Sequence, residues 1–178
     1  MKTILLLGSN RGDKFSLIDQ ASQMVSDLST GEIVLSSLYE SEPWGFKADE
    51  WFLNRAVLID TEFRPEELLE KVLNIEKKLG RVRGEESKNN KKDEEKSGAE
   101  REYSSREIDI DIIFYGNLVY QSKTLTLPHP RMHFRRFVLE TVSQVAPNFI
   151  HPDLGITVEQ LLNECEDNSV VNKITLKQ

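Results

Sequence analysis

The run Thr3–Leu7 is almost wholly apolar and reads as a buried strand. Residues 8–13 form a turn, with Asp13 placed to cap a helix. Leu17, Ile18, Ala21, Val25 and Leu28 then recur at helical spacing, and Ser29-Thr30-Gly31 stops them. Residues 32–39 predict a strand, 40–50 a loop holding Pro43, Trp44 and Gly45, and 51–60 another strand. In that last strand Phe52 and Asn54 share one parity, while Leu53, Val57 and Ile59 share the other. Pro65 suits the first position of a helix whose stripe is Leu68, Leu69, Val72, Leu73 and Leu79, and Gly80 ends it.

The pattern then breaks. Residues 85–102 hold twelve charged side chains, with Ala99 as the one apolar residue. Such a segment cannot bury enough surface to order itself, which predicts a mobile loop over about 84–105. After it, Ile108, Ile110, Ile112 and Phe114 alternate with Asp109 and Asp111, a strand with one apolar face. A turn at Gly116-Asn117, extended pieces near 118–120 and 124–127, and a helix over roughly 134–146 follow, the last stopped by Pro147. Thr157 and Gln160 form a capping box for a short helix carrying Leu161, Leu162 and Cys165, and residues 170–176 suit an edge strand.

Strand, helix, strand, strand, helix, strand is the ferredoxin-like order. It predicts an α+β fold: a mostly antiparallel sheet, helices packed on one face and ligand loops on the other. Asp109, Asp111, Phe52 and Asn54 are then expected on the open face. A rise of about 3.3 Å per residue sets the two carboxylates about 6.6 Å apart, pointing the same way. Like charges so placed repel unless a cation joins them, and Mg²⁺ takes such oxygen ligands while keeping waters and phosphates. Alone, so short a motif reads sooner as an ordinary solvated strand face than as a metal site.

Composition narrows the field. A chain of 178 residues suits one domain over 1–178, and 38% apolar with 30% charged residues reads as soluble and globular. No apolar run approaches the length of a membrane span, and the apolar stretch near the N-terminus is too short for a signal peptide. The single Cys165 suits a reducing cytoplasm. A net charge of −7 argues against a nucleic-acid partner, so any phosphate site must gather its cations locally. Arg81, Arg83, Arg106, His129, Arg131, His133, Arg135 and Arg136 do cluster at a few chain crossings. Arginine forks match phosphate oxygens, and with the two aspartates they suggest a magnesium–polyphosphate site. The chain has no G-x-x-x-x-G-K-[ST] loop. Trp44, Phe52 and Phe137 could sandwich a flat heterocycle whose edge Asn54 reads, whereas Trp51 reads as packing.

These pieces together resemble the 6-hydroxymethyl-7,8-dihydropterin pyrophosphokinase family of folate biosynthesis. The matching segments are Leu7–Asn10 with Gly12, Ser41–Gly45, Phe52–Asn54, Ile75-Glu76, Gly80–Arg83, Arg106-x-x-Asp109-x-Asp111, Pro128-His129-Pro130 and Arg135-x-Phe137. They run in family order over about residues 4–147. The resemblance implies diphosphate transfer from ATP, as co-substrate, to the pterin alcohol, with two Mg²⁺ on Asp109 and Asp111. It implies that Phe52 and Phe137 sandwich the pterin while Ser41, Trp44 and Asn54 hold its polar edge. It also implies that Arg81, Arg83, Arg106, His129 and Arg135 contact ATP phosphates or the transferred group, with Glu76 on the nucleotide side. Three departures stand out: Tyr103-Ser104-Ser105 where the family often has Trp-Gly-Pro, Phe52 for a usual tyrosine, and a longer loop between Arg83 and Arg106. A cytoplasmic monomer acting on small molecules, with neither nucleic acid nor membrane as partner, is expected. The rival readings are a non-catalytic ferredoxin-like binding module and a metal-dependent phosphohydrolase.

Overall fold

Leu5 and Leu7 point to one side of the first strand and Ile4 and Leu6 to the other, yet all four are buried. A strand covered on both sides must be central, with helices above and below it. The computed structural model describes residues 1–44, 50–80 and 107–175 and has that architecture. In chain order the elements are β1 (Lys2–Ser9), α1 (Lys14–Ser26), β2 (Ile33–Leu35), β3 (Tyr39–Ser41), β4 (Phe52–Asp60), α2 (Pro65–Lys78) and β5 (Asp109–Tyr115). The hairpin β6 (Tyr120–Gln121) and β7 (Thr126–Leu127), a 3₁₀ turn at Met132–Phe134, α3 (Arg136–Val145), α4 (Val158–Asn163) and β8 (Val171–Lys173) complete them. The main sheet runs β5-β1-β4-β3-β8, with β2 also on β4, and every pairing is antiparallel.

Local chemistry sets the boundaries. Asp13 caps α1 by accepting the Ser16 N–H at 3.2 Å. Pro65 opens α2, and Gly80, at φ 97°, follows its last turn in the left-handed region. Ile18, Ala21 and Val25 of α1 and Leu68, Val72 and Ile75 of α2 pack on Leu5, Leu7, Leu53, Val57 and Ile59. Val138, Leu139 and Val142 of α3 and Val158 and Leu161 of α4 pack on Ile4, Leu6, Ala56 and Leu58. Each large apolar side chain so buried stabilises the fold by about 1.5–3 kcal/mol. The expectation of helices on one face only is therefore corrected: α1 and α2 cover one face, and α3 and α4 share the other.

Two irregularities revise the strand reading. Residues 32–39 are not one strand, and Glu40 and Ser41 belong to a strand rather than a loop. Between the pairs Leu35↔Val57 and Tyr39↔Asn54, four steps on one side face three on the other. Ser36 absorbs this extra residue, as its hydroxyl accepts the Ala56 N–H at 2.9 Å in place of a ladder carbonyl. In β5 the register shifts between Leu5↔Ile112 and Ile4↔Phe114, leaving Ile113 as the extra residue. Phe114 consequently joins the α3 side, although its spacing put it with Ile108, Ile110 and Ile112 on the α1 side. The predicted helix at 134–146 starts later, at Arg136, after the 3₁₀ turn.

Phe114 also packs against a histidine pair. His151 is buried edge-on to Phe114 at 5.4 Å between ring centroids, and the His133 ring lies 5.9 Å from the His151 ring. His151 Nδ1 accepts the Asp153 N–H at 3.3 Å, so the neutral ring carries its proton on Nε2. Burial lowers the pKa of both rings; His133 lowers His151 further, against an opposing pull from Asp153. Below the ordinary histidine pKa of about 6.5 the unfolded chain therefore binds more protons than the folded one, and stability falls as the pH drops through that value. The melting temperature should decline from pH 7 to pH 5, and less so in His151→Gln. An equal decline in the variant would assign the effect to other groups.

Candidate active site

Strand register brings the chemistry together. On one face of the sheet Gly8 of β1 lies between Asn54 of β4 and Asp109 of β5. One step along, Leu6 lies between Ala56 and Asp111. On the outer side Tyr39 pairs with Asn54, and Ser41 with Phe52. α3 covers the Ala56–Leu58 end of this face, and a cavity occupies the other end. Leu6 and Gly8 are in its lining, with Phe52 and Asn54, Asp109 and Asp111, Ser41, Glu42 and Trp44, and Arg135 and Phe137 from the start of α3.

Its polar groups are held in place. Asn54 is 1% exposed, and its Nδ2 donates to Ser41 Oγ at 2.9 Å, which fixes the amide plane against β3. Arg135 is 5% exposed, and its guanidinium lies over the Trp44 ring, 4.5 Å from the centroid. Burial brings the Arg135 pKa down to about 10, so the group stays charged at neutral pH. Asp109 and Asp111 are half-buried on the same strand face.

A second, larger cleft of 840 Å³ lies beside the first, between α2, β5 and residues 122–131. Its polar lining includes Glu66, Glu70, Ser122, Thr124, His129, Arg131 and Asp111. Glu66 fastens the hairpin to α2: hydrogen bonds from Ser122, Thr124 and Tyr120 hold its carboxyl below the usual range. The His129 backbone N–H donates to Ile113 O at 3.0 Å, and its Nδ1 accepts the Arg131 N–H at 3.3 Å. Among the described residues Asp111 alone lines both cavities, so a group held there reaches an occupant of either one.

Glu76 lines neither of these two cavities. It is 1% exposed beneath the sheet, and its Oε1 accepts the Ile110 N–H at 2.8 Å. Ile110 stands between the two aspartates, so Glu76 pins the strand that carries them. Arg81, Arg83, Arg106 and the loop predicted to be mobile over 84–105 lie outside the described residues. Among the expected site residues, Ser41, Trp44, Phe52, Asn54, Asp109, Asp111, Arg135 and Phe137 meet in the first cavity, and His129 meets Asp111 in the second. Sequence reasoning missed Leu6 and Gly8 as part of the lining, Glu42 as a wall, and the hairpin residues Ser122 and Thr124. The even parity of Leu6 and Gly8 on a strand was a usable signal for the first two.

The donor set fits a hard divalent cation. It offers two carboxylates on one face, half in solvent, with room beside them for ligand oxygens. Among the described residues no group of three or more His, Cys, Asp or Glu gathers, so further ligands would be water or substrate. Also among them, no helix is long and apolar enough to cross a membrane.

The family model described as 7,8-dihydro-6-hydroxymethylpterin-pyrophosphokinase (HPPK) matches residues 4–147. A protein of Porphyromonas gingivalis named 2-amino-4-hydroxy-6-hydroxymethyldihydropteridine pyrophosphokinase is 39% identical over 152 residues, covering 84% of this chain and 92% of the relative. A protein of the same name from Aquifex aeolicus is 37% identical over 153 residues, 85% of each chain. Among solved structures, Plasmodium falciparum HPPK-DHPS with SDX-DHP aligns with a TM-score of 0.66 at 16% identity, over 92% of this chain and 44% of that one. That likeness is one of fold.

Proposed function

Given that this chain belongs to the 7,8-dihydro-6-hydroxymethylpterin-pyrophosphokinase family, we propose that it catalyses Mg²⁺-dependent transfer of diphosphate from ATP to the hydroxymethyl group of 6-hydroxymethyl-7,8-dihydropterin, releasing AMP. The observation that carries this reading is Asp111 lining both an aromatic pocket and a larger polar cleft.

The flat pterin enters the first cavity between Phe52 and Phe137, where offset stacking orients the ring. Asn54 and Ser41, already bonded to each other, read its polar edge. ATP occupies the cleft between α2 and the β6–β7 hairpin, with His129 on its phosphates. Arg135, held over Trp44, places a permanent positive charge beside the reacting groups. Arg81, Arg83 and Arg106 add further charge to the phosphates in this reading. Two Mg²⁺ ions, when bound at Asp109 and Asp111, supply charge neutralisation and alignment of the phosphate oxygens. The hydroxymethyl oxygen attacks the β-phosphorus and AMP departs. The chain contributes positioning and preorganised charge rather than a covalent intermediate.

The same reading includes a single domain over 1–178 with a ferredoxin-like core, supported by one sheet ordered β5-β1-β4 with β2 and β3 beyond. It includes a monomer in the cytoplasm, a location supported by the lone Cys165. The test is product analysis after mixing protein, MgATP and hydroxymethyl-dihydropterin. AMP and pterin diphosphate should appear in equal amounts and only when all three are present. Phosphate released without pterin would indicate a phosphohydrolase, and no turnover a binding module.

Gly8→Ala tests the lining. A Cβ there would sit 3.4 Å from Asn54 Oδ1 and 4.0 Å from Phe52 Cδ1, ordinary contacts that the fold tolerates. It would nonetheless occupy the space between Asn54 and Asp109. Pterin affinity should fall by about 1–3 kcal/mol, the range for overpacking a fitted site, with little change in melting temperature. Calorimetry showing undiminished pterin binding would move the ligand off Gly8.

A further inference from the structure

Residues beyond 147 lie outside the family match, yet the chain's last described segment touches both walls of the aromatic cavity. On one side Asp167 Oδ2 accepts the Arg136 N–H at 2.9 Å, capping α3 between Arg135 and Phe137. Its Oδ1 accepts the Ser169 N–H at 3.0 Å and is also bonded by the Ser169 hydroxyl. Burial alone would raise the Asp167 carboxyl, but these hydrogen bonds and nearby Arg136 outweigh it and hold the group below the usual range. A carboxylate charged throughout the neutral range therefore sits at the positive end of α3.

On the other side the same segment builds on β3. Val171 pairs with Ser41 and Lys173 with Tyr39, and the Ile174 N–H donates to Leu38 O at 2.8 Å. Glu42 is bound twice, its backbone N–H donating to Val170 O at 3.3 Å and its Oε2 accepting the Val170 N–H at 3.0 Å. Ser41, Glu42 and Trp44 form one wall of the cavity, and Arg135 and Phe137 the other. Inside the cavity the walls meet through Arg135 over Trp44. Outside it, seven residues of chain, Asp167 to Lys173, span them.

We propose that Asp167–Ile174 is a positioning brace for the pterin pocket: it fixes the first turn of α3 relative to β3, and so sets the gap into which the pterin slides. The brace rests on the function proposed above, but its geometry is testable apart from it. A short cap of this kind contributes about 0.5–2 kcal/mol, up to roughly thirtyfold in an equilibrium.

The experiment compares wild type, Asp167→Ala, Asp167→Asn and Val170→Pro, all well below their melting temperatures. Asp167→Ala should weaken hydroxymethyl-dihydropterin binding about tenfold, as expected for a lost cap, while a non-hydrolysable MgATP analogue binds within about twofold of wild type. Asp167→Asn keeps an acceptor for the Arg136 N–H and should restore most of the affinity. Val170→Pro removes the donor to Glu42 and should weaken pterin in the same selective way. A lower melting temperature with unchanged pterin affinity, or equal losses for both ligands, would overturn the brace. Amide hydrogen exchange gives the ligand-free arm. Asp167→Ala should raise exchange in the first turn of α3 and in β3 together, and a change confined to residues 167–175 would refute the proposal. If wild type bound no pterin, the proposed function would fail while this arm still decided the brace.

Discussion

Asp111→Ala and Asp109→Ala should each slow the chemical step by at least about 10³-fold, the scale of one lost preorganised electrostatic contact of about 2.7–4 kcal/mol. Melting temperatures should barely move. Both side chains stand half in solvent on one strand face, and without a cation they repel each other. The strand itself is held from beneath by Glu76 on the Ile110 amide and from the side by β1, neither of which uses the carboxylates. The larger loss is expected at Asp111, which faces both cavities, whereas Asp109 faces the aromatic one. Asn at either position keeps the shape and one oxygen, so Asp→Asn separates charge from size. Single-turnover AMP formation at saturating Mg²⁺ checks all four variants. Turnover within tenfold of wild type in both Ala variants would remove these aspartates from the metal site.

Phe137→Ala should weaken pterin binding by about 1–3 kcal/mol, the worth of one stacking partner, and leave ATP affinity nearly unchanged. The ring is half-buried and packs in part against the Val138–Val142 side of the core, so some stability is lost too. Calorimetry well below the transition isolates the ligand effect. The selectivity follows from the two cavities: Phe137 lines the aromatic one and is not in the lining of the polar cleft. Equal losses for both ligands would mean that Phe137 shapes the whole site rather than the pterin pocket.

Part of this was legible from alternation. Parity put Phe52 with Asn54 and Asp109 with Asp111, each pair on one face of its own strand, and the register through Gly8 and Leu6 of β1 brings the two pairs onto the same sheet face. Asp13, Pro65 and Thr157 marked helix starts through caps that depend on a few adjacent atoms. What escaped depends on contacts distant in sequence. Bulges at Ser36 and Ile113 arise from register with β4 and β1, so the split of the second strand and the reversal of Phe114 left no local trace. The second helical layer was missed for a related reason: the apolar stripe of α3 says that it packs, but not on which face. Gly8 was read as part of a turn because its neighbours are turn formers, yet it lies within β1, paired with Asn54 and Asp109, and belongs to the cavity lining. The value of residues 165–175 was invisible because their role lies in bonds to Arg136 and Glu42, more than thirty and more than a hundred positions away.

The most direct test is a crystal structure of the protein with Mg²⁺, a non-hydrolysable ATP analogue and hydroxymethyl-dihydropterin. The predicted density has the pterin ring between Phe52 and Phe137, the nucleotide in the cleft beside α2 and the β6–β7 hairpin, and metal on Asp109 and Asp111 where the two ligands meet. Pterin bound elsewhere, or both ligands in place with no metal on either aspartate, would contradict the account.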